Sequence, residues 1–349
     1  MTFSIAIPVH NGEKFLKATL ASAINQKRPA DEIIAVDDAS TDQSAQILKD
    51  EQWKGKIRYV FNETPSGYVD AWNRVVEHSH SDFVTILHQD DLLDADYLFR
   101  VEEALRTYPS CKHLFSGYYY IDDRGNRTAE SPAPHSLNPE LIPGKEYARR
   151  YLRGVFHNRH IHRCPGVTTE RALLLDKCAY RKEAGLIADD DFFIRVGRFT
   201  DVVGISYPLA SFRIHDESAT AKLKSLAFQL ANDYVFSLKF HDQHREYLDD
   251  HERAIIAGLA ARFVSQLLFD GLRMRNDQWI ESAVNLSVMI DAISSDWKQS
   301  FLPFWSKIMW SMQKKSANKE LCWVYCSFLY RVNSMKNYGK AEIHKIGKR

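Results

Sequence analysis

Ile33-Ile34-Ala35-Val36-Asp37-Asp38, and then Phe83-Val84-Thr85-Ile86-Leu87 followed after His88-Gln89 by Asp90-Asp91, are the stretches on which the fold turns. Each is a short apolar run of the length of a buried strand, and each delivers a pair of carboxylates at its carboxyl end. Open α/β sheets bind ligands at that end. Four carboxylates gathered there call for a cation.

Working outward, strand-like segments at 4–9, 32–36, 57–61 and 83–87 alternate with helix-like segments at 14–26, 43–51, 68–79 and 96–108. Alternation at this spacing predicts βαβ units, hence an α/β, Rossmann-like, mostly parallel sheet with helices on both faces and right-handed crossovers. Ser40-Thr41-Asp42 supplies start signals for the second helix, and Asp94 and Asp96 for the fourth, because carboxylates and hydroxyls satisfy the free N–H groups of a first turn. From about 115 to 165 the pattern loosens, with a turn at Asp122-Asp123-Arg124-Gly125-Asn126 and the irregular Ser131-Pro132-Ala133-Pro134-His135. That region is expected to form a lid or substrate-facing loops. Order returns with a helix near 170–179, an acidic helix start at Asp189-Asp190-Asp191 and a last strand over 202–207. Beyond 225 the chain reads as helix throughout, a C-terminal helical extension.

The net charge of +1 hides an asymmetry. From Asp296 to Arg349 there are 11 Lys/Arg against 3 acids, a balance of +8, so residues 1–295 carry −7. Phe301, Leu302, Phe304, Trp305, Ile308, Met309 and Trp310 precede Lys314-Lys315, the composition of an interfacial helix, and an anionic membrane surface is an expected partner of this tail. Packing on protein is the alternative. Five cysteines form no zinc-ribbon spacing, the start Met1-Thr2-Phe3-Ser4-Ile5 lacks the regions of a signal peptide, and no uninterrupted run of about 18 apolar residues is present. The expected compartment is the cytoplasm, with peripheral attachment to the inner face of the cell membrane. Nucleic acid is not an expected partner.

If the first strand lies between the second and the fourth, Pro8-Val9-His10-Asn11, Asp37-Asp38 and His88-Gln89-Asp90-Asp91 converge on one crevice. A dinucleotide site would place Gly-x-Gly-x-x-Gly after the first strand, whereas the turn here is His10-Asn11-Gly12-Glu13, with one glycine and an acid. Carboxylates facing a diphosphate repel it by about 1 kcal/mol per unit pair at 4 Å in water and about 4 kcal/mol near a protein surface. Such a crevice therefore takes phosphate through a divalent cation, Mn²⁺ or Mg²⁺.

These residues resemble the inverting family 2 glycosyltransferases of GT-A fold. Ile5-Ala6-Ile7-Pro8-Val9-His10-Asn11-Gly12 is similar to that family's opening strand, Val36-Asp37-Asp38-Ala39-Ser40-Thr41-Asp42 to its nucleotide-binding turn, Gly67 through Asn73 to the segment entering its third helix, and Leu87-His88-Gln89-Asp90-Asp91 to its Asp-x-Asp metal motif. The resemblance runs from about 4 to 97 and more thinly to 215. It implies a GT-A domain over 1–220, with a nucleotide-binding half to 110 and an acceptor-binding half over 111–220, ahead of the helical region 221–349. It further implies that Asp38, with Asp37, contacts the base and ribose of a sugar nucleotide, a UDP-sugar being the expected donor. Pro8 and Asn11 would line the base pocket, and Asp90 would coordinate the ion that bridges the phosphates. His88 stands where the family often has the first Asp of Asp-x-Asp, leaving one fewer anion. Asp91 and His215, the latter in an Arg213-Ile214-His215 segment that resembles the family's Arg-x-His, complete the expected metal set.

Inverting transfer needs a base for the acceptor hydroxyl as it attacks the anomeric carbon. Asp189-Asp190-Asp191 with Arg195 resembles the family's Glu-Asp-x-Asp stretch and downstream Arg, which implies Asp189 as the base and Asp191 as the following acid. Ala188 stands where an acid usually precedes the base, so Asp190 remains an alternative. The implied activity is transfer of a sugar to a glycan or lipid-linked acceptor in cell-surface polysaccharide synthesis. A sugar-phosphate nucleotidyltransferase and an inert nucleotide-sugar-binding module are the other readings. His157-x-x-His160-x-His162 with Cys164 could bind zinc, although the neighbouring arginines favour an acceptor loop. Cys322 and Cys326 read as core, and Arg149, Arg150 and Arg153 as a solvated face.

Overall fold

The structure is a computed structural model and describes residues 1–132, 135–157, 159–218, 221, 226–244 and 248–293. Its first part runs β1 (Phe3–Val9), α1 (Leu16–Ile24), β2 (Glu32–Asp38), α2 (Ser44–Leu48), β3 (Arg58–Asn62), α3 (Tyr68–His78), β4 (Phe83–Ile86), β5 (Leu92–Leu93) and α4 (Tyr97–Thr107). The predicted alternation is present, and β2 extends through both Asp37 and Asp38.

Strands β3, β2, β1 and β4 lie side by side and parallel, with β1 in the middle. Val9 stands opposite Asp37. The carboxyl ends of β1, β2 and β4 therefore share one edge, the topology that the site requires. The fully buried Phe3, Ile5, Ala6 and Ile7 make β1 a continuous apolar run, as expected for a parallel strand covered on both faces. Leu16 and Leu20 of α1 and Leu98, Val101 and Leu105 of α4 belong to the same core cluster. Truncating one of these to Ala is expected to cost about 2–5 kcal/mol.

The second part corrects one expectation. Residues 115–165 are largely regular: β6 (His113–Ile121), β7 (Arg127–Glu130), β8 (Glu140–Ile142) and α5 (Gly144–Phe156) are followed by β9 (Val167–Glu170), α6 (Arg171–Asp176), α7 (Ala188–Val196) and β10 (Val202–Arg213). The sheet continues from β4 as β9-β6-β10-β5, with β9 antiparallel to both its neighbours and β6 parallel to β10. Gly117 interrupts β6 in sequence yet belongs there, because a Cβ on it would lie 2.4 Å from the Ser206 carbonyl oxygen across the bulged β6–β10 pairing. Helix α5 is hidden by its arginines, although Tyr147, Ala148, Tyr151, Leu152 and Val155 fall at helical spacing and are buried. The last strand, expected over 202–207, runs on to Arg213.

Two compact units are distinguished: Met1–Leu223 with His244–Ile255, and Lys224–Gln243 with Ile256–Arg349. The described helices beyond β10 are α8 (Leu226–Gln243), α9 (Asp250–Met274) and α10 (Asp277–Ile293). In the second unit the rings of Tyr234 and Phe263 stack at 5.3 Å. By length and composition alone α9 could cross a membrane, a run interrupted by Arg262 and Asp270, and half of its most apolar window is buried in the protein. The basic tryptophan-bearing tail and Cys322 and Cys326 lie outside the described residues.

Candidate functional site

Three loops leave the carboxyl edge of the parallel strands, and His10 ties them together. Its N–H donates to Gln89 Oε1 at 2.8 Å, Gln89 Nε2 donates back to the His10 carbonyl at 3.0 Å, and its ring Nδ1 lies 2.7 Å from the Asp38 carbonyl oxygen. A Cβ on Gly12 would stand 2.4 Å from Gln89 Oε1, so the single glycine of this turn makes room for that bracket. Asn11, at φ 52°, receives the Thr41 N–H on its side-chain oxygen at 2.8 Å and donates its own N–H to Ser40 Oγ at 2.9 Å. The loops after β1 and β2 are thereby stitched into one floor.

The two carboxylates ending β2 do different work. Asp37 is fully buried and accepts from the Ser40 N–H at 2.9 Å and from the Tyr59 hydroxyl at 3.3 Å, bracing a turn in which Ala39 has φ 57°. Burial and the Asp37 charge push the Tyr59 phenol up to about 12. Asp38 accepts from Asn62 Nδ2, the Ser66 N–H and hydroxyl, and the Gly67 N–H at 2.8–3.2 Å. Burial works against its ionisation, but these donors outweigh it and hold the carboxyl below the ordinary range. Asp38 thus fixes the entry into α3, where Gly67 at φ 87° takes a conformation that L side chains resist.

After β4 the second acidic pair divides as well. Asp90 Oδ2 lies 3.0 Å from His215 Nε2, and burial, which opposes its ionisation, is outweighed by that hydrogen bond and by the His88 and His215 imidazoles, so the carboxyl sits below its usual value. Asp91 points inward. One oxygen accepts the Arg213 N–H at 2.8 Å, while the other is buried without a hydrogen bond, 3.8 Å from His88 Nδ1. Burial and the adjacent Asp90 charge push Asp91 well above the carboxylate range. Arg213 binds the Asp90 carbonyl through Nε at 2.7 Å, lies 4.6 Å from the Phe15 ring, and so sets the Arg-x-His segment against this loop.

The chemistry of this set fits a divalent ion. Asp90 and His215 carry oxygen and imidazole donors of the kind such an ion accepts, and they stand together, 3.0 Å apart. Asp91, turned to the Arg213 backbone, supports the loop from behind. Among the described residues no group of three or more His, Cys, Asp and Glu converges to hold a metal. The proposed zinc set does not assemble: His157 is exposed, His162 stacks on Tyr147 with its Nε2 at 2.7 Å from the Tyr147 hydroxyl, and Cys164 turns to Asp189.

Helix α7 opens with the three acids, each with its own partner. Asp189 accepts the Cys164 thiol at 3.1 Å and the Asp190 N–H at 2.9 Å. Asp190 accepts the Tyr151 hydroxyl of α5 at 2.6 Å. Asp191 is fully buried between Arg195 at 2.8 Å and Arg181 at 3.2 Å. Burial, together with the Asp190 charge, pushes Asp189 up to about 6. Cys164 also lines a small enclosed cavity with His88, Trp72 and Tyr180, in which the Trp72 and His88 rings stack at 5.2 Å.

The family model described as Glycosyl transferase family 2 matches residues 4–164. Residues 4–164 are a family 2 glycosyltransferase domain. Its fold is the GT-A fold: a crystal structure of S. aureus TarS 1-349 in complex with UDP-GlcNAc superposes with a TM-score of 0.61 at 18% identity, covering 84% of this chain and 83% of that one. A Haemophilus influenzae protein named Uncharacterized glycosyltransferase is 32% identical over 126 residues, 36% of this chain and 50% of its own length. The O-antigen biosynthesis protein RfbC of Myxococcus xanthus is 30% identical over 152 residues, 43% of this chain and 12% of its own length. The chain thus spans half or less of these curated relatives.

Within this glycosyltransferase domain the expected nucleotide residues Pro8, Asn11, Asp37 and Asp38 share one edge with Asp90. His215 reaches Asp90 from the end of β10. Asp191 stands apart from them in a buried ion pair. Sequence reasoning passed over Trp72 and Tyr151, weighed Cys164 only as a zinc ligand and gave Gln89 no part of its own. Gln89 gave a signal in its place inside the Leu87–Asp91 stretch, but the other three contribute through partners distant in the chain. Arg149 pairs with Asp249, and Arg150 with Glu140 and Glu146, so this basic helix face is largely neutralised.

Proposed function

We propose that the protein transfers a sugar, with inversion, from a nucleotide diphosphate donor to a glycan or lipid-linked glycan in cell-surface polysaccharide synthesis, at the inner face of the membrane. The observation that carries this reading is the His10 hub, which joins the Asp38 turn and the Gln89–Asp90 loop at one sheet edge. A UDP-sugar is supported as donor by the S. aureus protein of the same fold, which binds UDP-GlcNAc and UDP. The polysaccharide class is supported by the O-antigen relative, and the membrane face by the +8 balance of residues 296–349.

The base and ribose bind over the floor made by Pro8, Asn11 and the Asp37–Asp38 turn. Asp90 and His215 hold a divalent cation, Mn²⁺ or Mg²⁺. When bound, that ion offsets the negative charge that builds up on the departing diphosphate. Imidazole is an acceptable Mn²⁺ ligand and less suited to Mg²⁺. Asp189, poised near neutrality, takes the proton of the acceptor hydroxyl as that oxygen bonds to the anomeric carbon and the bond from carbon to the diphosphate oxygen breaks. Asp191 holds Arg195 and Arg181 and so keeps the first turn of α7 in place. The deciding experiment incubates the protein with a panel of nucleotide sugars, Mn²⁺ and lipid-linked glycans. Nucleoside diphosphate release with glycan extension is expected, whereas pyrophosphate release from a nucleoside triphosphate and a sugar phosphate instead would replace the proposal.

A further inference from the structure

Two adjacent carboxylates, Asp189 and Asp190, open α7, and their partners differ. The Tyr151 hydroxyl, from the buried face of α5, is spent on Asp190 Oδ1 at 2.6 Å, and Asp190 is about nine-tenths buried. Asp189 is only partly buried, and its oxygens meet the Asp190 N–H and the Cys164 thiol. Cys164 opens a tight turn that has little freedom: Pro165 is buried, and a Cβ on Gly166 would lie 2.6 Å from Ser116 Oγ. The thiol is therefore held at Asp189 by its backbone, on the side that lines the cavity with His88 and Trp72.

We infer that, with Asp189 as the base, Cys164 and the Tyr151–Asp190 pair are positioning residues that hold its carboxylate in place from two sides. The thiol donates to the carboxylate and favours its ionised form. The Asp190 charge, kept one residue away by the Tyr151 hydroxyl, disfavours it. The other groups facing Asp189 are the Arg163 guanidinium, which favours ionisation, and the Tyr151 and Tyr180 phenols, which are neutral because burial and the nearby carboxylates push both well up. Burial and Asp189 itself also push the Cys164 thiol well above its ordinary value, so it stays a protonated donor through the working range.

This inference rests on the transferase reading. The test is the pH profile of kcat for the full chain with Mn²⁺ and the donor that the screen above identifies, each variant being checked first for an unchanged melting temperature. Cys164→Ala removes a donor, so the acid limb moves to higher pH by about one unit. Cys164→Ser keeps a donor at the same place and restores the wild-type limb or lowers it. Asp190→Asn keeps an acceptor for Tyr151 but deletes the like charge, so the limb moves to lower pH while transfer persists. Identical acid limbs in wild type and all three variants overturn the inference, and so does loss of transfer in Asp190→Asn with retention in Asp189→Asn. Either result leaves the transferase assignment intact, because wild-type turnover is measured in the same series. Absence of wild-type transfer with every donor would instead fail the assignment itself.

Discussion

The side chain of Gln89 clamps the backbone of His10 through a donated and an accepted hydrogen bond, 3.0 and 2.8 Å long. Through that clamp the loop bearing Asp90 is referenced to the loop bearing Asn11, and through the His10 ring to the Asp38 turn. Gln89→Leu removes both bonds while keeping bulk. The expected result is a several-fold rise in KM for the donor and a loss of about 1–3 kcal/mol in stability, read by steady-state kinetics and denaturant titration.

Gly12→Ala attacks the same clamp from the other side. The added methyl meets Gln89 Oε1 inside contact distance, so Gln89 is displaced or the turn shifts, at about 1–3 kcal/mol. A double variant with Gln89→Ala should recover part of that loss. Strict additivity of the two effects would show that they do not act through one contact.

Asp90→Asn and His215→Ala should each weaken Mn²⁺ binding, measured by calorimetry in the presence of nucleoside diphosphate, and lower kcat/KM by about 10²-fold. EDTA should do the same to the wild type and be reversed by Mn²⁺. Asp91→Asn, by contrast, alters a buried group bonded to the Arg213 backbone, and its first signature should be a lower melting temperature.

Turnover should fall as pH drops through about 6, the value to which burial and Asp190 raise Asp189. The sign follows from the role: the ionised carboxylate is the active form, present above that pH and lost below it. Asp189→Asn should remove this limb with the activity, and donor binding should survive.

Asp191→Ala should act on stability rather than on chemistry alone. It leaves the buried Arg195 and the partly buried Arg181 without their shared carboxylate, a situation that costs about 3–5 kcal/mol. A fall of about 10 °C in melting temperature is expected for a unit of this size. Asp191→Ala with wild-type thermal stability and no transfer would assign this acid to catalysis instead.

The first half of the sheet was legible in the sequence because its signals are local. Apolar runs such as 33–36 and 83–87 end in acids, and parallel topology alone brings those ends together. His215 was expected beside Asp90 from the resemblance of Arg213-Ile214-His215 to the family's Arg-x-His, although the last strand was expected to stop at 207. The second half of the sheet was less legible. Its central strand β6 carries Gly117, which is explained by a backbone approach from β10 that no local pattern announces. Helix α5 spends its arginines on Asp249 and Glu140, outside the helix, and on Glu146 within it, so its apolar stripe of Tyr147, Tyr151 and Val155 reads weakly. Cys164 was weighed only as a zinc ligand for the same reason: its hydrogen-bond partner is Asp189, 25 residues away.

Three consecutive acids at the start of α7 look redundant as letters, yet the helical screw sends each toward a different neighbour. One residue advances the helix by about 100°, so inserting or deleting a single position near Ile187 would hand the thiol, the phenol and the guanidinium pair to the wrong carboxylates together. The phase of that first turn, more than the identity of any one acid, sets which carboxylate meets which partner. Homologous chains with fewer acids there can keep the chemistry if they keep the phase, whereas a chain with all three and a shifted helix would not.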